Sequence, residues 1–251
     1  MNNESIIKLG LIILVLIISA VLIIKRFVYF QPTSQFVPTQ ENYKEVNQGH
    51  INGWFLESTS DKVVLFCHGN TGNISHREGK VSSINQLGYS VLIFDYSGYG
   101  RSKGIPSEQQ CYDDASTMVA LLLQKYQPHN IIIYGESLGG PVAVYAARRY
   151  RIPTIILDSP LPGIKILIKS KFPTLSFLSF LFSEFDTEAY LNGYKGRSLM
   201  LHSKMDEIIP YNSTTSLQRY VTQLISINGT HNNPQIPWVE IKRFIEEIGE
   251  E

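Results

Sequence analysis

The sequence predicts an α/β domain: a mostly parallel sheet with helices on both faces, preceded by one apolar N-terminal helix. Three observations carry this. Beyond about residue 49, short β-branched runs alternate with longer helix-like segments. Those runs are continuously apolar instead of alternating with polar residues, the pattern of strands buried on both faces. Of 251 residues, 43% are hydrophobic and 18% charged, enough apolar material for a sizeable core.

The first element is the apolar run. From Ile6 to Ile24 nearly every residue is Ile, Leu or Val, with Lys8 the only charge. At about 1.5 Å per residue the run approaches the roughly 30 Å hydrocarbon core of a bilayer. It predicts a transmembrane anchor over residues 1–30. A cleaved signal peptide is the competing reading, but it expects a shorter apolar region and a small-x-small cleavage site. Here the run ends in Lys25 and Arg26, followed by Phe27, Tyr29 and Phe30, which suits a membrane interface. Lys25 and Arg26 outweigh Lys8, which puts the C-terminal part on the cytoplasmic side. Cys67 and Cys111 are the only cysteines; they fit a reducing compartment and form neither a disulfide scaffold nor a zinc site. Sequons at Asn73, Asn212 and Asn228 would be candidates in a lumen. The one at Asn73 falls in a loop assigned below to the active site and is expected to be silent.

Residues 31–48 are polar with two prolines and read as a linker; residues 49–251 form the domain. Ile51–Leu56 predicts an antiparallel strand. The parallel strands follow at Val63–Cys67, Val91–Phe94, Ile131–Tyr134, Thr154–Leu157, Leu199–Leu201 and Leu224–Ile227. Ser107 with Gln110 makes a capping box ahead of a helix reaching about Tyr126. Further helices run from Ser137 to about Arg149 and from Trp238 to Ile248. In such a sheet, ligands bind at the carboxyl ends of the strands, so chemistry is sought just after each run.

Just after Ile131–Tyr134 comes Gly135-Glu136-Ser137-Leu138-Gly139, the pattern G-x-S-x-G between a buried strand and a helix. It is the sequence of a nucleophile elbow, where a strained turn exposes a Ser hydroxyl. A hydroxyl needs a base, and the base an orienting acid. The strand Leu199–Leu201 leads into Asp206, and Leu224–Ile227 leads into His231. The chain order Ser137, Asp206, His231 is that of hydrolases with this topology. Asp158 also ends a strand and is an alternative acid. For the oxyanion, one amide comes from Leu138, and Asn70, in the loop His68-Gly69-Asn70-Thr71-Gly72, is the choice for the second. His68 reads as a brace for that loop.

Phe66–Asn73, Phe94–Ser102, the elbow Gly135–Gly139, the stretch His202–Pro210 and Gly229–Asn232 together resemble the α/β-hydrolase superfamily. Within it they are most similar to the membrane-tethered Bem46-like branch, which includes the ABHD13 type. The resemblance covers about residue 45 to the C-terminus. It implies the α/β-hydrolase fold and a serine hydrolase with no cofactor, in which Ser137, Asp206 and His231 are nucleophile, acid and base. It does not imply a substrate, since relatives cleave lipid esters, acyl thioesters or short peptides. Two positions depart from the pattern: Ser203 and Thr230 stand where relatives usually have glycine.

Other features are weaker. Gly98–Gly104 has the wrong spacing for a dinucleotide loop and reads as a tight turn near the site. No H-E-x-x-H metal motif occurs, and the 22 basic residues are matched by 22 acidic ones, which argues against a nucleic-acid binder. Between two strands lies a cap at about 161–188, rich in Ile, Leu and Phe with Lys165, Lys169 and Lys171 among them. It reads either as ordinary buried helices or as an apolar substrate pocket or membrane-facing surface. The expected function is a membrane-anchored serine hydrolase acting on small-molecule or lipid-acyl esters or thioesters, or on acylated proteins. A serine peptidase of the same fold and a non-catalytic hydrolase-fold binding protein are the rivals.

Overall fold

The computed structural model describes residues 3–28, 30–171, 173, 179 and 184–247. Eight strands form one sheet: β1 (Lys44–Gln48), β2 (Ile51–Leu56), β3 (Val63–Cys67), β4 (Ser90–Phe94), β5 (Ile131–Glu136), β6 (Thr154–Asp158), β7 (Arg197–Ser203) and β8 (Gln223–Ile227). Their spatial order is β8-β7-β6-β5-β3-β4-β2-β1. The pairs from β4 through β8 are parallel, while β2 runs antiparallel to both β1 and β4.

The apolar runs are continuous because each strand feeds two cores. Val63, Leu65 and Cys67 of β3 enter the core beneath α3 (Glu108–Leu122) and α4 (Gly139–Tyr150). Val64 and Phe66 enter the opposite one, beneath α2 (Glu78–Gln86) and α7 (Trp238–Glu246). β5 divides the same way, Ile131 and Ile133 against Ile132 and Tyr134. Period-two alternation thus sends apolar side chains to both faces.

Between β3 and β5 the strand order reverses: the chain leaves β3 outward to β4, then returns on the other side as β5. The loops after β3 and β5 therefore lie side by side, at the switch point where open α/β sheets bind ligands.

Several boundaries differ from expectation. Lys44–Gln48, assigned to the linker, is an edge strand paired with Ile51–Phe55; its exposed side chains give no apolar signal. The helix after Ser107 ends at Leu122, and only half the capping box forms. Ser107 accepts from the Gln110 amide, while the Gln110 side chain donates to Asp114. The helix after the elbow begins at Gly139, and Ile248 lies outside the described residues.

The transmembrane span needs correction. Among the described residues, no helix is long and apolar enough to cross a membrane. The N-terminal segment is a helix, α1 (Asn3–Val28), with exposed apolar side chains from Ile6 to Ile18. Its side chains are described continuously only over residues 3–19. The boundary residues Lys25, Arg26 and Phe27 lie outside the described side chains, and Tyr29 lies outside the described residues. In the cap, α5 (Ile164–Lys171) and the short α6 (Thr187–Leu191) are described. Phe172, Leu175, Phe177, Leu178, Phe180, Leu181 and Phe182 lie outside the described residues.

The start of α4 is packed to backbone contact. A Cβ at Gly139 would overlap the Cys67 carbonyl oxygen at the end of β3. Gly139→Ala is expected to lower unfolding stability by about 3 kcal/mol, the upper range for overpacking. Urea denaturation of parent and variant measures this.

Candidate active site

Ser137 sits between β5 and α4 with φ +53, in the left-handed region that side chains beyond glycine rarely adopt. Three backbone bonds impose it. Ser137 N–H donates to the Asp158 carbonyl at 2.9 Å, and the Ser137 carbonyl accepts from the amides of Gly140 and Leu161, both at 2.9 Å. The turn also needs the surrounding glycines, since a Cβ on Gly135 would lie 2.7 Å from that of Ala143.

His231 follows β8 and Asp206 follows β7, so the ends of three strands supply one hydrogen-bonded chain. His231 Nε2 lies 3.0 Å from Ser137 Oγ, and its Nδ1 lies 2.7 Å from Asp206 Oδ2. A carboxylate only accepts, so the Nδ1 proton points to Asp206 and Nε2 is left to accept from the serine hydroxyl. Asp206 Oδ1 accepts from the amides of Ile209 at 2.7 Å and Ile208 at 3.0 Å. Burial alone would raise the Asp206 carboxyl, but the bond from His231 and the Ile209 amide outweigh it and hold it below its ordinary range.

Asp158 is engaged elsewhere. Its Oδ2 accepts from Lys80 Nζ at 2.5 Å and Tyr134 OH at 2.8 Å. Lys80 also reaches Glu136 Oε1 at 3.1 Å, and Arg77 Nε reaches Glu136 Oε2 at 2.6 Å. Burial would raise the Glu136 carboxyl, but Lys80 and Arg77 pull it far below its usual range. This four-charge cluster clamps the residue just before Ser137.

The loop Cys67–Gly72 arches over Ser137, with a Gly69 Cβ placed 3.4 Å from Ser137 Cβ. His68 is fully buried and its Nδ1 donates to the Gly69 carbonyl at 2.7 Å. That bond fixes the Gly69–Asn70 peptide plane, so the Asn70 N–H points away from the imidazole. Tyr96 OH donates to the His68 carbonyl at 3.0 Å, and Tyr99 OH to the Asn70 carbonyl at 2.9 Å. Burial pushes His68 down to about 3, so it is a neutral brace. The segment after β4 is the tight turn expected near Gly98–Gly104, and its tyrosines hold this loop.

Ser203 and Thr230 both have structural roles. Ser203 Oγ donates to the Gly229 carbonyl at 2.5 Å, tying the loop that carries Asp206 to the loop that carries His231. Thr230 pairs with Asn233 in a two-residue antiparallel bridge next to His231. Sequence reasoning missed Glu207, whose carboxylate accepts from the His231 amide at 3.1 Å, and the Arg77–Lys80–Glu136 cluster.

Ser137, His231, Leu138 and Asn70 line one cavity of about 1100 Å³. The cap lends it the apolar Leu161, Ile164, Leu167 and Ile168 together with Lys171, and Gln31, Thr33, Thr71, His76 and Arg77 line it as well. Among the described residues no cluster of His, Cys, Asp or Glu could hold a metal ion.

A family model described as the alpha/beta hydrolase fold matches residues 62–181. The chain is 32% identical over 206 residues to an uncharacterized protein of Acanthamoeba polyphaga mimivirus, spanning 71% of this chain and 69% of that protein. It is 30% identical over 207 residues to the lysophosphatidylserine lipase ABHD12 of Danio rerio, spanning 74% of this chain but only 54% of that protein. An esterase of Pyrococcus furiosus has the same fold, with TM-score 0.69 at 20% identity over 88% of this chain and 98% of that one. With the strand order and elbow described above, the chain belongs to the α/β-hydrolase superfamily.

The charge cluster yields a prediction. Lys80→Met leaves Glu136 and Asp158 buried with one cation fewer, and is expected to destabilise by about 3–5 kcal/mol. Glu136 ionises more readily folded than unfolded, so its contribution is present above the unfolded value near pH 4.5 and is lost as pH falls below it. Denaturation between pH 3 and pH 7 should show the parent weakening below about pH 4.5, with a shallower slope in Glu136→Gln.

Proposed function

We propose that this protein is a serine hydrolase that cleaves acyl ester or thioester bonds through an acyl-enzyme, with Ser137, His231 and Asp206 as its triad. The observation that carries the reading is the hydrogen-bonded chain from Ser137 Oγ at 3.0 Å to His231 and on to Asp206 at 2.7 Å, opening onto the cavity.

His231 Nε2 takes the hydroxyl proton as Ser137 Oγ bonds to the acyl carbon, and the carbonyl electron pair moves onto oxygen. The amides of Asn70 and Leu138 stabilise that oxyanion. Its collapse expels the alcohol or thiol, which takes the proton from His231. Water then gives a proton to His231 and attacks the acyl-enzyme; the acid departs and Ser137 recovers its proton. Asp206 stays ionised and steadies the imidazolium.

Support for a lipid or acylated-protein substrate comes from the apolar cap side of the cavity and from the lipase among the relatives. The quoted motifs favour the Bem46-like branch. Lipid association through the exposed apolar side chains of α1, with the domain on the cytoplasmic side, is part of the same reading. Fractionation tests it: the protein is expected in the membrane pellet, resisting high salt and released by detergent.

A fluorophosphonate probe tests the chemistry. Ser137→Ala should abolish labelling. His231→Ala and Asp206→Asn should slow it about 10²–10⁴-fold without loss of the folded state. Equal labelling of the parent and Ser137→Ala would refute the assignment.

A further inference from the structure

Residues 31–48 have the composition of a linker, yet residues 30–41 are bound to the domain along most of their length. Phe30 packs its ring on Phe185, at the base of the cap, with centroids 6.1 Å apart. Gln31 and Pro32 then pair in parallel with Thr71 and Gly72, directly downstream of the Asn70 amide. The Thr33 carbonyl accepts from Gly100 N–H at 3.2 Å. Farther along, Val37 N–H donates to Ser75 Oγ at 3.0 Å, and the amides of Gln40 and Glu41 donate to Glu78 Oε1.

Asn73 is the fastening point. It is fully buried, and its Nδ2 donates to the carbonyls of Thr33 at 3.1 Å and Gln35 at 2.8 Å. Its Oδ1 separately accepts from Ser75 N–H at 3.0 Å and Ser75 Oγ at 2.6 Å, capping the turn after the loop. One amide side chain thus serves the local cap with its oxygen and the distant segment with its nitrogen. The loop over Ser137 is held from inside by Tyr96 and Tyr99 and from outside by residues 31–35. Gln31 and Thr33 also line the cavity, with the polar Thr71, His76 and Arg77.

We propose that residues 30–37 form a strap that is part of the substrate site. Gln31 and Thr33 wall the side that receives the leaving alcohol or thiol, while the apolar cap side receives the acyl chain. Asn73 is the positioning residue that fastens the strap to the oxyanion loop. The inference rests on the serine hydrolase reading and adds a division of the cavity to it. It also places the end of α1, at Val28, two residues before the strap begins at Phe30. The apolar helix therefore enters the domain beside the cavity, where an amphiphilic acyl substrate held in lipid would meet the polar wall and the apolar cap side together. The substrate class this selects is a single-chain acyl ester or thioester with a polar leaving group.

The test uses the full chain in detergent and two esters with the same octanoyl group, p-nitrophenyl octanoate and glycerol mono-octanoate. Asn73→Asp keeps the oxygen that caps Ser75 but sets a carboxylate oxygen against two carbonyls. It is expected to lower kcat about tenfold or more on both esters with KM within about twofold, and to slow fluorophosphonate labelling in parallel. Gln31→Leu lies on the surface and keeps the backbone pairing. It should change the ratio of kcat/KM between the two esters about tenfold, disfavouring the glycerol ester. Should Asn73→Asp fail to fold, the ester ratio of Gln31→Leu decides. An active parent with both variants within twofold of it on every measure overturns the strap. A folded parent that neither hydrolyses an ester nor takes the probe overturns the hydrolase reading itself, and the strap with it.

Discussion

The left-handed backbone at Ser137 is the constraint from which the rest of the site follows. A serine there is strained, and it stays because its N–H is bound to β6 and its carbonyl accepts from the start of α4 and from Leu161. Those bonds form only if β5, β6 and α4 approach to backbone contact, which the glycines of the elbow allow. Once the turn is set, the hydroxyl projects beyond the sheet edge, where the loops after β7 and β8 deliver Asp206 and His231. The geometry of Ser137, His231 and Asp206 is thus a consequence of sheet order, which brings the ends of β5, β7 and β8 to one edge.

Around this turn lie two kinds of support. Beneath it, Lys80 and Arg77 neutralise Glu136 and Asp158, so a position adjacent to the nucleophile carries buried charge without an unpaired excess. Above it, neutral His68 and two tyrosine hydroxyls fix the successive carbonyls of His68, Gly69 and Asn70. Neither set reacts. In the mechanism we propose, both restrict motion of groups that must be in place before charge develops on the substrate, where preorganised donors have their effect. The Ser203 bond to Gly229 does the same for the loops that carry Asp206 and His231.

The parts legible in the sequence were those with a local or periodic signature. The strands β3 to β7 appeared as apolar runs because both faces are buried, while β8 is a half-exposed edge strand that keeps only Leu224, Ile225 and Ile227 as its apolar signal, and the elbow appeared as a five-residue motif between a strand and a helix. Asp206 and His231 were legible from their places after strands. The choice between Asp206 and Asp158 was not, because it depends on Lys80 and Tyr134 reaching Asp158 across the fold. β1 was missed because an exposed polar edge strand is held by backbone bonds that no side-chain pattern encodes. The strap was hidden for the same reason: its pairing with Thr71 and Gly72 is between main chains, and its composition is that of a linker. Arg77, Lys80 and Glu136 come from separate segments, and nothing in their spacing marks them as neighbours.

The central claim is that Ser137 is acylated during turnover. The direct measurement is intact-protein mass spectrometry of the full chain mixed with an octanoyl ester and quenched in acid within the first turnovers, followed by peptide mapping. The account predicts a mass increase of one acyl group, carried by the peptide containing Ser137 and absent from Ser137→Ala. Ester hydrolysis by the parent with no adduct on Ser137, or with the adduct on another residue, would contradict it.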